Sequence, residues 1–403
     1  MLRYRGDNVF DPSKSTARFP DFAVTTYREG SSRSSVGDAP ARNQTTIPIG
    51  ENMTEIDPNA PVLVTGGSGY LASWIVRYLL EDGRTVRATV RDPRKPKGLE
   101  HLHTLAEQHP GRLTLHPADL LDEGSFTEAM AGCELVIHTA SPFLMGKLDD
   151  PREQLIRPAL EGTRNVLNSV NRTDSVKRVV LTSSVVAIYG DNIDMRGREC
   201  FTDADWNTTS TDSHQEYSYS KTVAERQAWA MCAAQDRWDL VTVHPGLVFG
   251  PSLTTSSASG TMTTIGHFTD GSMTFGAPAL EMGVVDVRDA ARTHIAAGFT
   301  PTAHGRYIAT SGTVSLLDMG RILRGAFGRR RTFPTRELPK VLVKIGAPAV
   351  GMTRKYVELN VGWPLRFDNS RTRAELDLDF IPPEKTIVDH FQQMIDDGLA
   401  SVS

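Results

Sequence analysis

The sequence predicts an α/β protein: a doubly wound parallel sheet followed by a smaller carboxy-terminal α/β lobe. Three observations carry that expectation. A strand, a glycine turn and a helix follow one another between residues 61 and 79. Short apolar runs then alternate with helical periods as far as residue 250, and beyond it the alternation loosens.

Val62, Leu63 and Val64 form the first buried strand, which breaks at Gly66, Gly67 and Gly69. From Tyr70 the apolar residues Leu71, Trp74, Ile75, Tyr78 and Leu79 recur at helical steps, and Ala72 is small enough for close helix–strand packing. A second strand is expected at 85–90, a helix at 99–109 and a third strand at 112–116 that ends at Asp119 and Leu120. A helix containing Phe126 and Met130 leads to a fourth strand at 134–138. A long amphipathic helix over 153–170, a fifth strand at 177–184, a helix beginning near Tyr217 and a strand at 240–244 complete the series. Strands alternating with helices make a parallel sheet covered on both faces, and ligands bind at the carboxyl ends of its strands. Gly66, Arg91, Asp119, Thr139, Ser184 and Pro245 thereby fall along one edge.

Ser, Thr and Gly crowd 251–276, a short strand is expected at 284–287, and a basic helix runs over 316–331. The reading is an extension over 1–58, a nucleotide-binding domain over 59–250 and a substrate lobe mainly over 251–403, with some segments returning to the first domain. The first fifty-odd residues are rich in Ser, Thr, Arg, Asp and Pro without a sustained period. Scattered acids (Asp7, Asp11, Asp21, Glu29, Asp38) argue against a transit peptide, and the lack of an apolar stretch argues against a secretory signal. A dispensable extension is expected, with Met53 as an alternative start.

Composition bounds the function. Of 403 residues 39% are hydrophobic and 23% charged, which suits a soluble globular protein, and a net charge of −4 argues against a nucleic-acid partner. Cys133, Cys200 and Cys232 have no metal-ligand spacing and read as reduced thiols of an intracellular, cytoplasmic protein. No apolar run reaches the ~18 residues of a membrane span. The expected partner is a small molecule and the expected assembly a monomer or homodimer, with no metal.

Two constellations carry chemistry. In the glycine turn the backbone approaches a pyrophosphate closely, and the following helix start attracts its charge. Gly66, Gly69, Tyr70 and Leu71 are the candidate contacts. Tyr217 and Lys221 stand four residues apart and share a helix face, whereas Tyr219 points elsewhere. Carbonyl reduction needs a proton donor at oxygen as hydride reaches carbon. A nearby ammonium is expected to lower the phenol toward the range useful for acid–base work. The fifth strand ends in Thr182, Ser183 and Ser184, where a hydroxyl would meet the same carbonyl oxygen.

Glycine turn, Thr-Ser-Ser and Tyr-x-x-x-Lys together resemble the extended short-chain dehydrogenase/reductases. The resemblance is nearest to the dihydroflavonol reductase and cinnamoyl-CoA reductase group and its microbial aldehyde and ketone reductase relatives. It covers the chain from about Ala60 onward and implies a Rossmann fold. It further implies Ser184 as the carbonyl-binding serine, Tyr217 as proton donor and Lys221 on the nicotinamide ribose. Asp119 and Leu120 would flank the adenine, Thr139, Ala140 and Ser141 would line the cofactor, and Pro245, Gly246, Leu247 and Val248 would hold the nicotinamide end.

Two cofactors compete at the end of the second strand. Asp92 has the spacing of an acid that holds the ribose hydroxyl of NAD. Arg91 and the following Arg94, Lys95 and Lys97 suit the 2′-phosphate of NADP instead. The resemblance assigns Arg91 and Lys97 to that phosphate, so NADP is expected over NAD. The function expected is NADPH-dependent reduction of an aldehyde or ketone. Alternatives on the same fold are a sugar-nucleotide epimerase or dehydratase, a 3β-hydroxysteroid dehydrogenase-type enzyme and a non-enzymatic NADP sensor. Ser184 is followed by Val-Val-Ala-Ile-Tyr rather than an early asparagine, and the Asn-Trp-Tyr-Cys-Tyr signature is missing around Tyr217. Phe143, Leu144 and Met145 suggest an apolar pocket.

Overall fold

The computed structural model describes residues 53–95, 97–141, 149–254, 264–330 and 332–400. Its centre is a seven-stranded parallel sheet. The first half runs β1 (Val62–Thr65), α1 (Tyr70–Glu81), β2 (Val86–Val90), α2 (Glu100–Gln108) and β3 (Leu113–Pro117). A single turn α3 (Thr127–Met130) leads to β4 (Leu135–His138), and α4 (Arg157–Asn171) to β5 (Arg178–Thr182). The long helix α5 (Glu216–Ala233) precedes β6 (Asp239–Pro245). The strand order is β3-β2-β1-β4-β5-β6 with β10 (Gly305–Ala309) closing the edge. Chain direction away from β1 therefore reverses between β1 and β4, which opens the crevice where nucleotides bind in doubly wound sheets.

Continuous apolar runs make these central strands because both faces are covered. Val62, Leu63 and Val64 are fully enclosed, as are Leu135, Val136 and Ile137. Ile75 and Leu79 of α1 pack into the layer on one side, and Val166, Leu167 and Val170 of α4 into the other.

The lobe is built on β7 (Leu247–Phe249), β8 (Ala277–Pro278), β9 (Glu281–Asp286), β11 (Gly312–Ser315) and β12 (Glu337–Leu338). Strand β9 pairs parallel with β7 and antiparallel with β11. Helices α6 (Val287–Phe299) and α7 (Leu316–Phe327) follow β9 and β11. Further helices among the described residues include α8 (Lys340–Gly346), α9 (Arg354–Asn360), α10 (Ser370–Glu375) and α11 (Pro383–Asp396). Both α6 and β10 belong spatially to the nucleotide-binding half, since α6 packs on α1 and β10 pairs with β6.

Several expectations shift. The helix expected over 153–170 begins as a wide π-type turn (Arg152–Ile156) and becomes regular only at Arg157. Pro158, which lacks an N–H, fixes that junction. The basic helix expected to reach 331 stops at Phe327, because Gly328 takes φ 83°. Residues 54–58, expected within the extension, lie against the sheet: Thr54 Oγ1 donates to Asp239 at 2.6 Å, Asp57 N donates to Glu134 at 2.7 Å, and Ile56 is buried. The bulk of the expected extension, and Phe143, Leu144 and Met145, lie outside the described residues.

Candidate active site

The glycine turn is shaped by what its residues lack. Gly66 takes φ +66°, and a Cβ there would lie 3.1 Å from the Ala140 side chain. At Gly67 an added Cβ would come within 2.7 Å of Ala88, so the turn and β2 approach as closely as only glycine permits. Thr89 holds the turn, its carbonyl accepting from Gly67 N at 2.8 Å and its hydroxyl from Gly66 N at 3.2 Å. Gly69 caps α1 in an extended conformation with no side-chain cap, leaving the first helical N–H groups facing the crevice. A cradle that any side chain would fill fits a pyrophosphate.

Thr65 sets the opposite wall. Its hydroxyl accepts from Thr139 N and Ala140 N, both at 3.1 Å, and meets His138 Nδ1 at 2.8 Å. Burial pushes His138 down to about 3, so the imidazole is neutral. Neither Thr65 nor Thr89 was singled out from sequence; each is a threonine at the last or next-to-last position of a strand beside the glycines.

Charge at the end of β2 is divided. Asp92 accepts from Arg94 Nε at 3.0 Å, and that pairing holds its carboxyl below the ordinary aspartate range. Arg91 and Lys97 are exposed, and neither has an ion pair or side-chain hydrogen bond among the described residues. Asp119 Oδ1 accepts from Leu121 N at 2.9 Å, and Leu120 packs over Gly162 with its carbonyl held by Asn165 Nδ2 at 2.8 Å.

Helix α5 carries the other constellation. It starts from Gln215, a non-glycine residue at φ 57°, whose side-chain amide donates to Asp191 at 3.1 Å. Lys221 Nζ donates to Ser141 Oγ at 3.1 Å, which ties α5 to the end of β4. Lys221 shares one enclosed cavity with Leu120, Ala140, Ser141, Ser183 and Glu225. Burial lowers Lys221 to about 8, and the Glu225 carboxylate opposes that fall.

The expected depression of Tyr217 is reversed in the protein alone. Burial pushes the phenol up to about 12, because desolvation disfavours the phenolate.

The two serines after β5 differ sharply. Ser183 is buried and its hydroxyl donates to Glu225 at 2.6 Å. Ser184 is partly open, donating to Pro245 O and accepting from Val186 N, both at a long 3.4 Å. Beyond Pro245 the chain enters β7, and Gly246 runs so close to β9 that a Cβ would stand 2.6 Å from Gly283 O. Five residues past Ser184, Tyr189 stacks on Phe201 with ring centroids 5.3 Å apart and meets Phe367 edge-on at 5.5 Å.

The cradle, Thr139 to Ser141, Ser184, Lys221 and Pro245 thus stand at one sheet edge, while Arg91 and Lys97 lie out on its exposed margin. Among the described residues no three His, Cys, Asp or Glu side chains gather as metal ligands, and no helix is long and apolar enough to cross a membrane.

Comparison with known proteins agrees with this geometry. The family model described as the NAD dependent epimerase/dehydratase family matches residues 62–306. A cinnamoyl-CoA reductase of Medicago truncatula is 41% identical over 286 residues, covering 69% of this chain and 82% of that protein. Tetraketide alpha-pyrone reductase 1 of Arabidopsis thaliana is 39% identical, covering 70% of this chain and 84% of that protein. Among solved structures, the yeast methylglyoxal/isovaleraldehyde reductase Gre2 with NADPH superposes with a TM-score of 0.67 at 24% identity, covering 84% of this chain and 99% of that one. The glycine cradle and the Tyr217 helix therefore sit in a chain that belongs to the NAD dependent epimerase/dehydratase family, within its extended reductase branch, and is an NAD(P)-dependent oxidoreductase.

Proposed function

We propose that the chain is an NADPH-dependent reductase of an aldehyde or ketone. The observation that carries this reading is the bond from Lys221 Nζ to Ser141 Oγ, which sets the helix of Tyr217 against the carboxyl end of β4 beside the cradle. Bound in that cradle, the dinucleotide supplies hydride. Gly66, Gly69, Tyr70 and Leu71 would hold its pyrophosphate, Asp119 and Leu120 the adenine, and Pro245 to Val248 the nicotinamide end.

The chain's own groups divide the remaining work. A phenol held near 12 keeps its proton at neutral pH, so Tyr217 is poised to donate to the oxygen as negative charge develops there. Ser184, with a hydroxyl loosely engaged, is free to turn toward that oxygen, whereas Ser183 is committed to Glu225. Lys221 would supply positive charge beside the phenol and would hydrogen-bond the ribose. Preference for NADP follows from Asp92 being engaged by Arg94 while Arg91 and Lys97 stand open to a phosphate.

A panel of aldehydes, ketones, aryl-CoA thioesters and UDP-sugars, with NADPH oxidation followed by absorbance, tests the reading. Turnover with aldehydes or ketones is expected. Reaction confined to thioesters or to nucleotide sugars would overturn it.

A further inference from the structure

We infer that Glu225 is a positioning residue, a buried carboxylate that locks the Tyr217 helix to the strand ends and keeps the neighbouring Lys221 ammonium charged. The inference rests on the reading of Ser184, Tyr217 and Lys221 given above.

Glu225 lies one helical turn past Lys221 and is 1% exposed. A carboxylate so enclosed survives only if its lone pairs are filled. Four elements fill them. From β5's end, Ser183 Oγ donates at 2.6 Å; from β6, His244 Nε2 stands at 2.8 Å; from β10, Arg306 Nε donates at 2.8 Å; and from α5 itself, Trp229 Nε1 donates at 3.2 Å. Two of these neighbours adjoin the site directly. Ser183 precedes Ser184, and His244 precedes Pro245, whose carbonyl accepts the Ser184 hydroxyl. One side chain thus fixes Ser184 relative to the helix that carries Tyr217 and Lys221.

The charge balance points the same way. Burial alone would raise Glu225, but the hydrogen bond with His244 and the guanidinium of Arg306 hold it well below the ordinary carboxylate range, so it is ionised. Burial pushes His244 down, leaving it a neutral donor. Lys221 faces His138 on β4, neutral at about 3, and Tyr217 and Glu225 on its own helix. Behind these stand His244 on β6, Arg306 on β10 and, bonded to Thr182, a neutral His294 on α6 at about 4. Glu225 is the only carboxylate in that set among the described residues, so it alone favours the charged lysine.

The test is Glu225→Gln, which keeps shape and removes charge. Lys221 is followed directly by 15Nζ NMR of 15N-lysine protein, assigned with Lys221→Arg, and in parallel by the pH profile of kcat/KM for carbonyl reduction. Removing an adjacent opposite charge is expected to move the Lys221 midpoint down by roughly one unit or more, and the alkaline limb of the profile with it. Glu225→Asp keeps the charge on a shorter arm, and is expected to restore the midpoint while kcat stays low. A folded Glu225→Gln protein with an unmoved Lys221 midpoint and a uniform rate loss would overturn the inference. So would a wild-type Lys221 midpoint below pH 7, a measurement that stands even if the variant does not fold. If no carbonyl is reduced yet the NMR midpoint moves, the proposed function fails while the control of Lys221 by Glu225 survives.

Discussion

Among the described residues two arginines are buried, one at the foot of the sheet and one behind the candidate site. Arg178 opens β5 and is wholly enclosed. It pairs through Nε and one terminal nitrogen with Asp239, both at 2.8 Å, and donates to the carbonyls of Ala297, Gly298, Thr300, Pro301 and Ala303. These carbonyls end α6 and begin the turn after it, where a cation complements the helix dipole. Asp239, however, remains 36% exposed and is shared with Thr54. Arg306 meets a carboxylate that is 1% exposed, and its guanidinium lies 3.9 Å from the ring centre of Trp206. The first arginine closes the fold; the second holds a carboxylate beside the proposed site. Arg178 thus pairs at the level of Asp239, where β6 begins, whereas the partners of Glu225 reach Ser183 and His244 at the carboxyl ends of β5 and β6.

Substitutions can break this contrast, beginning with the largest effect. Tyr217→Phe is expected to lower kcat for carbonyl reduction by roughly 10²–10⁴-fold, the usual worth of a positioned acid, with the melting temperature little changed. A fall of less than tenfold in stopped-flow turnover would detach the upper arginine from chemistry altogether. Arg178→Met removes the cation beside Asp239, which keeps its bond from Thr54, and one donor from each of five carbonyls, of which Thr300 O and Pro301 O keep backbone donors. A loss of about 3–5 kcal/mol in urea unfolding is expected, with turnover per folded molecule unaltered. Equal damage to kcat in the protein that remains folded would erase the distinction between foot and site. Arg91→Ala, at the exposed margin, is expected to raise KM for NADPH roughly 10- to 100-fold, the range of a lost charge-assisted hydrogen bond, and to spare NADH. Steady-state kinetics with both nucleotides decide it, and parallel changes would remove the 2′-phosphate assignment.

What could be read in the sequence follows a physical boundary. The glycine turn, the six strands of the first half and the Tyr217 helix rest on periodicity and on backbone demands local to each segment. All of them appear where the residues predict. Glu225, Ser183, His244 and Arg306 are brought together by the sheet, and nothing in their local sequence announces a meeting across α5, β5, β6 and β10. The same limit explains Tyr217. A neighbouring lysine is visible at helical spacing, but the desolvation that dominates the phenol depends on packing. Pro158 and Gly328 did carry local signals, and attending to the missing N–H and the positive φ would have placed the wide turn before α4 and the end of α7. Much of the lobe stayed unread because its two-residue strands β8 and β12 pair, among the described residues, only with each other, too briefly to leave a period.

The first turn of α1 has one more property. Tyr70 donates its hydroxyl to Gly250 O at 2.6 Å, and Trp74 its indole N–H to Pro251 O at 2.8 Å. The helix start that offers its N–H groups to a nucleotide thus also grips the strand exit from which the lobe departs. If the turn holds the nucleotide as proposed, binding there is expected to steady the segment that leaves Pro251. In the language of kinetics, the expected outcome is a compulsory order, nucleotide first on and last off, which product-inhibition patterns check.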